Sequence, residues 1–86
     1  PLDVRVIAYY PIPQSTSKKK WQRMIEHYIR PVVKPDLDNV LKLAMDALNG
    51  VAWHDDNAIV DEQARKFYSD EPRLVITIRV VEGMNI

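Results

Sequence analysis

Apolar positions along the chain follow two different spacings, which separate strands from helices. Apolar and polar residues alternate over residues 2–10, a segment rich in β-branched and aromatic side chains that ends at Pro11, and this pattern predicts a largely buried strand. Residues 59–68 alternate less regularly and are more polar, which predicts a strand at a sheet edge. Residues 73–81 alternate clearly and predict a final strand.

Two segments between these strands have helical spacing. The first follows the polar residues 14–17 and carries apolar side chains at Trp21, Met24, Ile25, Tyr28 and Ile29. This spacing predicts an amphipathic helix that stops at Pro31. The second segment, residues 36–48, ends before Gly50, which suits a left-handed position after the last helical turn. Its apolar side chains cover more than half of the helix circumference, so we expect it to be covered on two sides.

The length and composition limit the class of protein. The chain has 86 residues, 47% of them hydrophobic, and two glycines, so it is globular rather than disordered or fibrous. We predict one α+β domain over residues 1–86, in which a small mixed β-sheet packs with two helices. A domain this short buries about 60% of its unfolded surface, which makes association with a second copy plausible. Because the chain starts directly at a predicted strand, we also expect it to be N-terminally incomplete.

The absence of cysteine excludes a disulfide framework, a thiolate zinc site and a cysteine nucleophile. No apolar run approaches the ~18 residues of a membrane span, and the first residues do not resemble a signal peptide. We therefore expect a soluble protein of the cytoplasm that has no membrane partner.

A net charge of zero conceals two oppositely charged halves. Residues 1–34 contain seven basic and two acidic residues, whereas residues 35–86 contain five basic and ten acidic ones. Such a basic part can contact phosphates while the acidic part holds a metal, although ordinary surface salt bridges also explain the counts. Lys18, Lys19 and Lys20 open the first helix, where the helix dipole disfavours cations. Both a solvated surface and contact with phosphates explain their presence.

Acidic residues form two groups in the sequence, one at the start of the second helix and one after its end. Asp36 and Asp38 open this helix, and Asp55 and Asp56 follow the short apolar segment after it. Carboxylates that lie close together repel one another. Mg²⁺ resolves this conflict, because it prefers oxygen ligands and shares them between carboxylates, phosphate and water. Lys42 lies one helical turn after Asp38 and could neutralise charge on a reacting phosphate.

Each of these residues also has an ordinary structural explanation. Asp36 or Asp38 alone suits a helix N-cap, and the pair Asp55-Asp56 alone suits a turn. Asp38 and Lys42 suit an exposed ion pair between successive turns. These explanations weaken when they are combined, because a cap needs one aspartate and a turn does not need two adjacent carboxylates.

A denser pattern over residues 34–56 resembles the signature of the RusA family of Holliday junction resolvases. The matching segments are Lys34-Pro35-Asp36-Leu37-Asp38-Asn39-Val40-Leu41-Lys42, Asp46-Ala47-Leu48-Asn49-Gly50 and Trp53-His54-Asp55-Asp56. They combine an Asp-x-Asp-Asn helix start, a lysine at a fixed offset and a downstream pair of aspartates. The chain departs from the family pattern in two places: it lacks a strand, a basic loop and a helix that usually precede residue 2, and its basic segment 15–30 is longer than in compact members.

The resemblance implies a homodimeric, Mg²⁺-dependent endonuclease that binds four-way DNA junctions and nicks two opposed strands symmetrically. By position in the motif, it implies that Asp36 and Asp38 bind the metal and that Lys42 is the catalytic lysine. It also implies that Asp56 is the third acid, with Asp55 as the alternative for that role.

Five basic residues are expected to contact the DNA phosphates: Lys18, Lys19, Lys20, Arg23 and Lys34. Two other functions remain open, namely a non-catalytic module that binds branched DNA and an acidic domain that binds a protein partner. Nicking of DNA in the presence of Mg²⁺ would separate the nuclease from the first alternative, and DNA binding would separate it from the second.

Overall fold

The computed structural model of the chain describes residues 1–53 and 56–81, and for Asp56 the backbone alone. The described residues form three strands, two α-helices and a short 3₁₀ helix, in this order: β1 (Leu2–Pro11), α1 (Lys18–Ile25), α2 (Leu37–Leu48), the 3₁₀ helix (Asp56–Ala58), β2 (Ile59–Ser69) and β3 (Arg73–Val80). The predicted α+β class, with a small mixed sheet and two helices, is confirmed.

The sheet has β1 in its centre. The strand order is β2-β1-β3, with β2 parallel and β3 antiparallel to β1. The predicted position of β2 at a sheet edge therefore holds for the described strands. Because side chains alternate between the two faces of a strand, the register places Tyr10 and Tyr68 on one face and Tyr9 and Phe67 on the other.

One face of the sheet forms the core. Val4 and Val6 of β1 are almost completely buried, and Ala8 and Tyr10 continue the same row. Burying these apolar side chains stabilises the domain, because each removes apolar surface from water. Further buried side chains join the same cluster from α1, α2, the turn after α2 and β2: Met24, Val40, Ala44, Trp53 and Tyr68. The strand that the alternation predicts over residues 2–10 is therefore present, with one of its two rows in the core.

The opposite face carries a buried ion pair at one end. Asp3 is 7% exposed, and its carboxylate accepts hydrogen bonds from Arg79 at 2.8 Å and from Arg5 at 3.1 Å. The hydrogen bond from Arg79, supported by that from Arg5, lowers the pKa of Asp3 below its ordinary value against the opposing effect of burial. Through Arg79, this group links β1 to β3.

The first helix is shorter than the apolar spacing predicts. α1 ends at Ile25 rather than at Pro31, so that part of the prediction was wrong. His27 has a left-handed backbone conformation with φ of 68°, and the amide of Tyr28 bonds back to the carbonyl of Arg23 at 2.9 Å. These features end a helix and turn the chain away. The sequence pattern conceals them because a histidine occupies the position where glycine is usual.

The second helix matches its prediction closely. α2 begins directly after Asp36 and ends at Leu48, with Asn49 as the C-cap residue. Gly50 has a φ of 81°, the left-handed conformation that its position predicts and that a side chain would strain. The helix end therefore follows from the local sequence.

We expected α2 to be covered on two sides. In the described part of the chain, it is covered on one side only. The sheet covers Val40 and Ala44, whereas Leu43 remains 64% exposed. Leu43 and Leu74 of β3 line a shallow apolar depression of about 290 Å³. Among the described residues, none of the helices has the length and apolar character that crossing a membrane requires.

Candidate active site

The start of α2 is built on a short connection that runs from Pro31 to Asp36. Asp36 is the N-cap residue of the helix, and its Oδ1 atom accepts a hydrogen bond from the amide of Asn39 at 3.0 Å. This contact satisfies one of the amides that every helix leaves unpaired at its first turn. Asp36 therefore caps the helix, as the sequence allowed, and the hydrogen bond holds one of its carboxylate oxygens in place.

The carboxylates of the helix start keep free binding capacity. No other described residue donates to Asp36, so its Oδ2 atom is not engaged. Asp38 lies in the first turn, and no described residue forms an ion pair or hydrogen bond with it. Both residues are exposed. A cation that reaches this surface therefore meets unengaged carboxylate oxygens on both residues.

The two aspartates share one surface depression of about 480 Å³. It is lined by the connection, the start of α2 and one residue of β2: Pro31, Val32, Val33, Lys34, Asp36, Leu37, Asp38 and Lys66. Two aspartates and two lysines therefore line the same depression. This arrangement suits a cation bound beside a phosphate, because the carboxylates attract the former and Lys34 the latter.

The depression is held in place by two side chains from the sheet. The ammonium group of Lys66 donates a hydrogen bond to the carbonyl of Val33 at 2.7 Å and lies 4.9 Å from the centre of the Tyr10 ring. The hydroxyl of Tyr10 donates to the carbonyl of Pro35, whose peptide bond with Lys34 is cis. β1 and β2 thus both contact the connection directly before Asp36.

The environment of Tyr10 changes its titration. Burial and, to a smaller extent, the negative charge of Asp36 raise the pKa of Tyr10 above its ordinary value of 10.0. Because the phenol therefore remains protonated at neutral pH, it can keep donating to Pro35.

The donor set fits a hard divalent cation. Asp36 and Asp38 supply oxygen ligands, and Mg²⁺ needs one or two protein carboxylates when phosphate and water complete its shell. Among residues 1–53 and 56–81, no group of three or more acidic, histidine or cysteine side chains lies close enough together to bind a metal. The predicted third acid falls elsewhere: Asp55 lies outside the described residues, and of Asp56 only the backbone is described.

Lys42 and Asp46 lie further along α2, at exposed positions. Lys42 is one turn after Asp38, which places both on the same side of the helix. Lys42 does not line the depression, and no ion pair joins it to Asp38 or Asp46. The ion pair that the spacing allowed is therefore not formed, as is common for exposed charges whose solvation competes with pairing.

The predicted DNA contacts divide between two places. Lys34 lines the depression beside the aspartates. Lys18, Lys19 and Arg23 line a separate shallow surface of about 570 Å³ on α1. Lys20 is exposed at the same helix start, where its amide bonds to the Ser17 hydroxyl at 3.3 Å. The structure therefore does not bring the α1 lysines into the depression with the acids.

Lys66 and Tyr10 contact this site although the motif over residues 34–56 does not include them. A signal for Lys66 exists, because alternation in β2 puts it in the inward row between Ala64 and Tyr68. A lysine in such a row needs a polar partner, which here is the carbonyl of Val33. Tyr10 has a comparable signal, because it follows Ala8 in the buried row of β1 and a buried phenol also needs a hydrogen-bond partner. In neither case does the sequence show which carbonyl is that partner.

The fold and the site define a small α+β domain in which basic groups surround an acidic helix start. The sequence profile of the family described as "Endodeoxyribonuclease RusA" matches residues 1–79 of the chain. The chain therefore belongs to the RusA endodeoxyribonuclease family, as the motif over residues 34–56 predicted.

A curated relative extends beyond the chain. "Uncharacterized protein YqaN" of Bacillus subtilis (strain 168) is 43% identical to it over 85 residues, which make up 96% of the chain and 60% of the relative. The chain thus spans about three fifths of that protein's length. No solved structure matches the chain.

Proposed function

We propose that this chain forms the catalytic part of a Mg²⁺-dependent endonuclease that resolves four-way DNA junctions by paired, symmetric nicks. The observation that carries the proposal is the depression in which Asp36, Asp38 and Lys34 meet, in a member of the RusA family. The reaction would be phosphodiester hydrolysis in the cytoplasm, during DNA recombination and repair.

The aspartates have separate tasks in this proposal. Asp36 gives one oxygen to the helix cap and keeps the other for Mg²⁺, so the cap orients the ligand. Asp38 follows in the first helical turn and offers a second carboxylate. We assign the third ligand to Asp56, with Asp55 as the alternative. When bound, Mg²⁺ would polarise the phosphate and activate a water molecule.

The basic residues would bind and stabilise the DNA. Lys42 is assigned to the charge that develops on the reacting phosphate, because it lies on the same side of α2 as Asp38. Lys34 would contact the phosphate backbone beside the aspartates. Lys18, Lys19, Lys20 and Arg23 would contact phosphates further away, which gives salt-dependent binding without base recognition.

Selection of four-way junctions would depend on symmetry. Two copies of the chain related by a two-fold axis present two identical sites, which match opposed strands of a four-armed substrate. The exposed Leu43 and Leu74 around the apolar depression are compatible with a partner surface. A homodimer is therefore part of the proposal.

A synthetic four-way junction tests the proposal. We expect the wild-type protein to nick it in the presence of Mg²⁺, and Asp38→Asn to abolish nicking while retaining junction binding, because Asn removes a ligand charge and a repulsion towards DNA. Junction binding without nicks would support the non-catalytic module instead. Failure to bind DNA would favour the acidic protein-binding domain.

A further inference from the structure

We infer that Lys66 is a positioning residue of the candidate active site: its ammonium group fixes the backbone that leads to Asp36 and Asp38. This inference rests on the proposed function, because it concerns the same acidic site. It assigns a task to a residue of β2, an element that the motif over residues 34–56 does not include.

The contacts of Lys66 are unusual for a lysine on a sheet. Its register partner in β1 is Ala8, so it lies on the core face of the sheet, and it is half-buried. Its ammonium group lies over the Tyr10 ring and donates to the Val33 carbonyl. A hydrogen bond from a charged donor is stronger than one between neutral groups. Lys66 therefore holds a defined backbone atom rather than extending into solvent.

The held carbonyl belongs to the connection that ends at the N-cap aspartate. Val33 lies on this connection just before Asp36, and the guanidinium group of Arg30 donates to the backbone carbonyl of Lys66 at 2.9 Å. One residue of β2 thus anchors the chain at Arg30 and again at Val33. Tyr10 adds a third anchor at Pro35. Together these contacts position the first turn of α2, and with it Asp36 and Asp38.

Electrostatics and positioning predict opposite effects on metal binding. Lys66 lines the same depression as Asp36 and Asp38, so its positive charge by itself repels a divalent cation. Removing the charge without moving the aspartates would therefore strengthen metal binding. If Lys66 positions the aspartates, removing it weakens metal binding instead, because the ligands are no longer held in place. The sign of the change distinguishes the two roles.

The test uses the full chain with Mn²⁺ as the probe, titrated without DNA and followed by water-proton relaxation. We expect Lys66→Met to weaken Mn²⁺ binding by about 10-fold to 100-fold, the usual effect of losing a group that supports metal ligands. Lys66→Arg keeps a charged donor for the Val33 carbonyl and should bind Mn²⁺ nearly as well as wild type. Arg65→Met is the matched control, because Arg65 is exposed on the other face of β2.

A readout without metal checks the same claim. The amide of Asn39 bonds to the Asp36 carboxylate, so its hydrogen exchange should become faster in Lys66→Met, while amides of the β1 core keep their protection. Unchanged protection of Asn39 would overturn the inference. Protection lost throughout β1 would mean that Lys66→Met has unfolded. In that case the Mn²⁺ affinities of Lys66→Arg and Arg65→Met test the inference. The inference fails if Lys66→Arg binds Mn²⁺ clearly less well than Arg65→Met.

Three further results would overturn the inference. Unchanged or tighter Mn²⁺ binding by a folded Lys66→Met protein would exclude a positioning role. Unchanged Mn²⁺ binding, together with a salt slope of DNA binding that falls by about one unit, would make Lys66 a phosphate contact. Failure of the wild-type protein itself to bind Mn²⁺ would remove this inference together with the proposed metal site, whereas normal Mn²⁺ binding without nicking of junctions would contradict the proposed nuclease alone.

Discussion

The hydroxyl group of Tyr10 donates a hydrogen bond to the backbone carbonyl of Pro35, the residue directly before the N-cap of α2. Tyr10 is 8% exposed and belongs to the central strand of the sheet. The hydrogen bond therefore connects the most buried element of the domain to the residue that precedes Asp36. The position of the candidate site depends on the core through this contact.

Replacing Tyr10 by Phe should weaken this connection. We expect Tyr10→Phe to lower the free energy of unfolding by about 1 kcal/mol, because the Pro35 carbonyl loses its donor while the ring still fills the core. Urea unfolding at neutral pH measures the change. Tyr28→Phe is the control, since Tyr28 is 79% exposed and its change should leave stability close to wild type.

The same substitution has a consequence at alkaline pH. Because the folded state raises the pKa of Tyr10 above 10.0, the folded protein binds more protons than the unfolded chain once the pH exceeds that value. Stability that is present at neutral pH is then lost as the pH rises through the folded pKa. We expect Tyr10→Phe to be less sensitive to pH than Tyr28→Phe in this range. Equal losses in the two variants would contradict the assignment.

Asp36 offers a way to separate the helix cap from the metal site. Asn and Asp cap helices about equally well, so Asp36→Asn should keep the stability of α2 while it removes the ligand charge. Asp36→Ala should lose the cap as well, which should lower the free energy of unfolding by about 1 kcal/mol relative to wild type. Both variants should lose Mg²⁺-dependent nicking. Wild-type nicking by Asp36→Asn would show that Asp36 is a cap without a role as ligand.

Local signals in the sequence predicted most of the fold. Alternation over residues 2–10 identified the strand β1, and Gly50 marked the end of α2 through its left-handed conformation. The end of α1 could not be predicted in this way, because the left-handed residue is His27 and the apolar spacing continues beyond it. A tertiary contact supports this conformation, since the His27 ring lies 4.2 Å from that of Phe67 in β2.

Only those residues of the candidate site that lie close together in the sequence were predictable. The motif placed Asp36 and Asp38 at one helix start, and the structure puts them in one depression. Lys66 reaches that depression from a strand far along the chain, because the parallel pairing of β1 with β2 brings it beside Tyr10. Such a contact depends on sheet register, which no single segment encodes.

Lys42 should affect catalysis more than binding. It is exposed one turn after Asp38 and has no ion pair among the described residues, so Lys42→Ala should leave stability nearly unchanged. If it stabilises charge on the reacting phosphate, the variant should lose about 100-fold in turnover, the lower limit for removing one donor of this kind. Single-turnover nicking and junction affinity separate the two effects. Asp46→Asn, on the same side of α2, is the control and should nick like wild type.

The lysines of α1 should contribute to DNA binding through charge alone. Lys18, Lys19 and Lys20 are exposed at the start of the helix, where the helix dipole disfavours them by a few tenths of a kcal/mol. Replacing all three by Gln should therefore not destabilise α1. If they contact phosphates, the slope of log affinity against log salt should become shallower by about 2 to 3 units, because each contact with duplex DNA contributes about 0.9. Replacing all three by Arg preserves the charge and should keep the wild-type slope. An unchanged slope in the Gln variant would mean that DNA phosphates do not contact this end of α1.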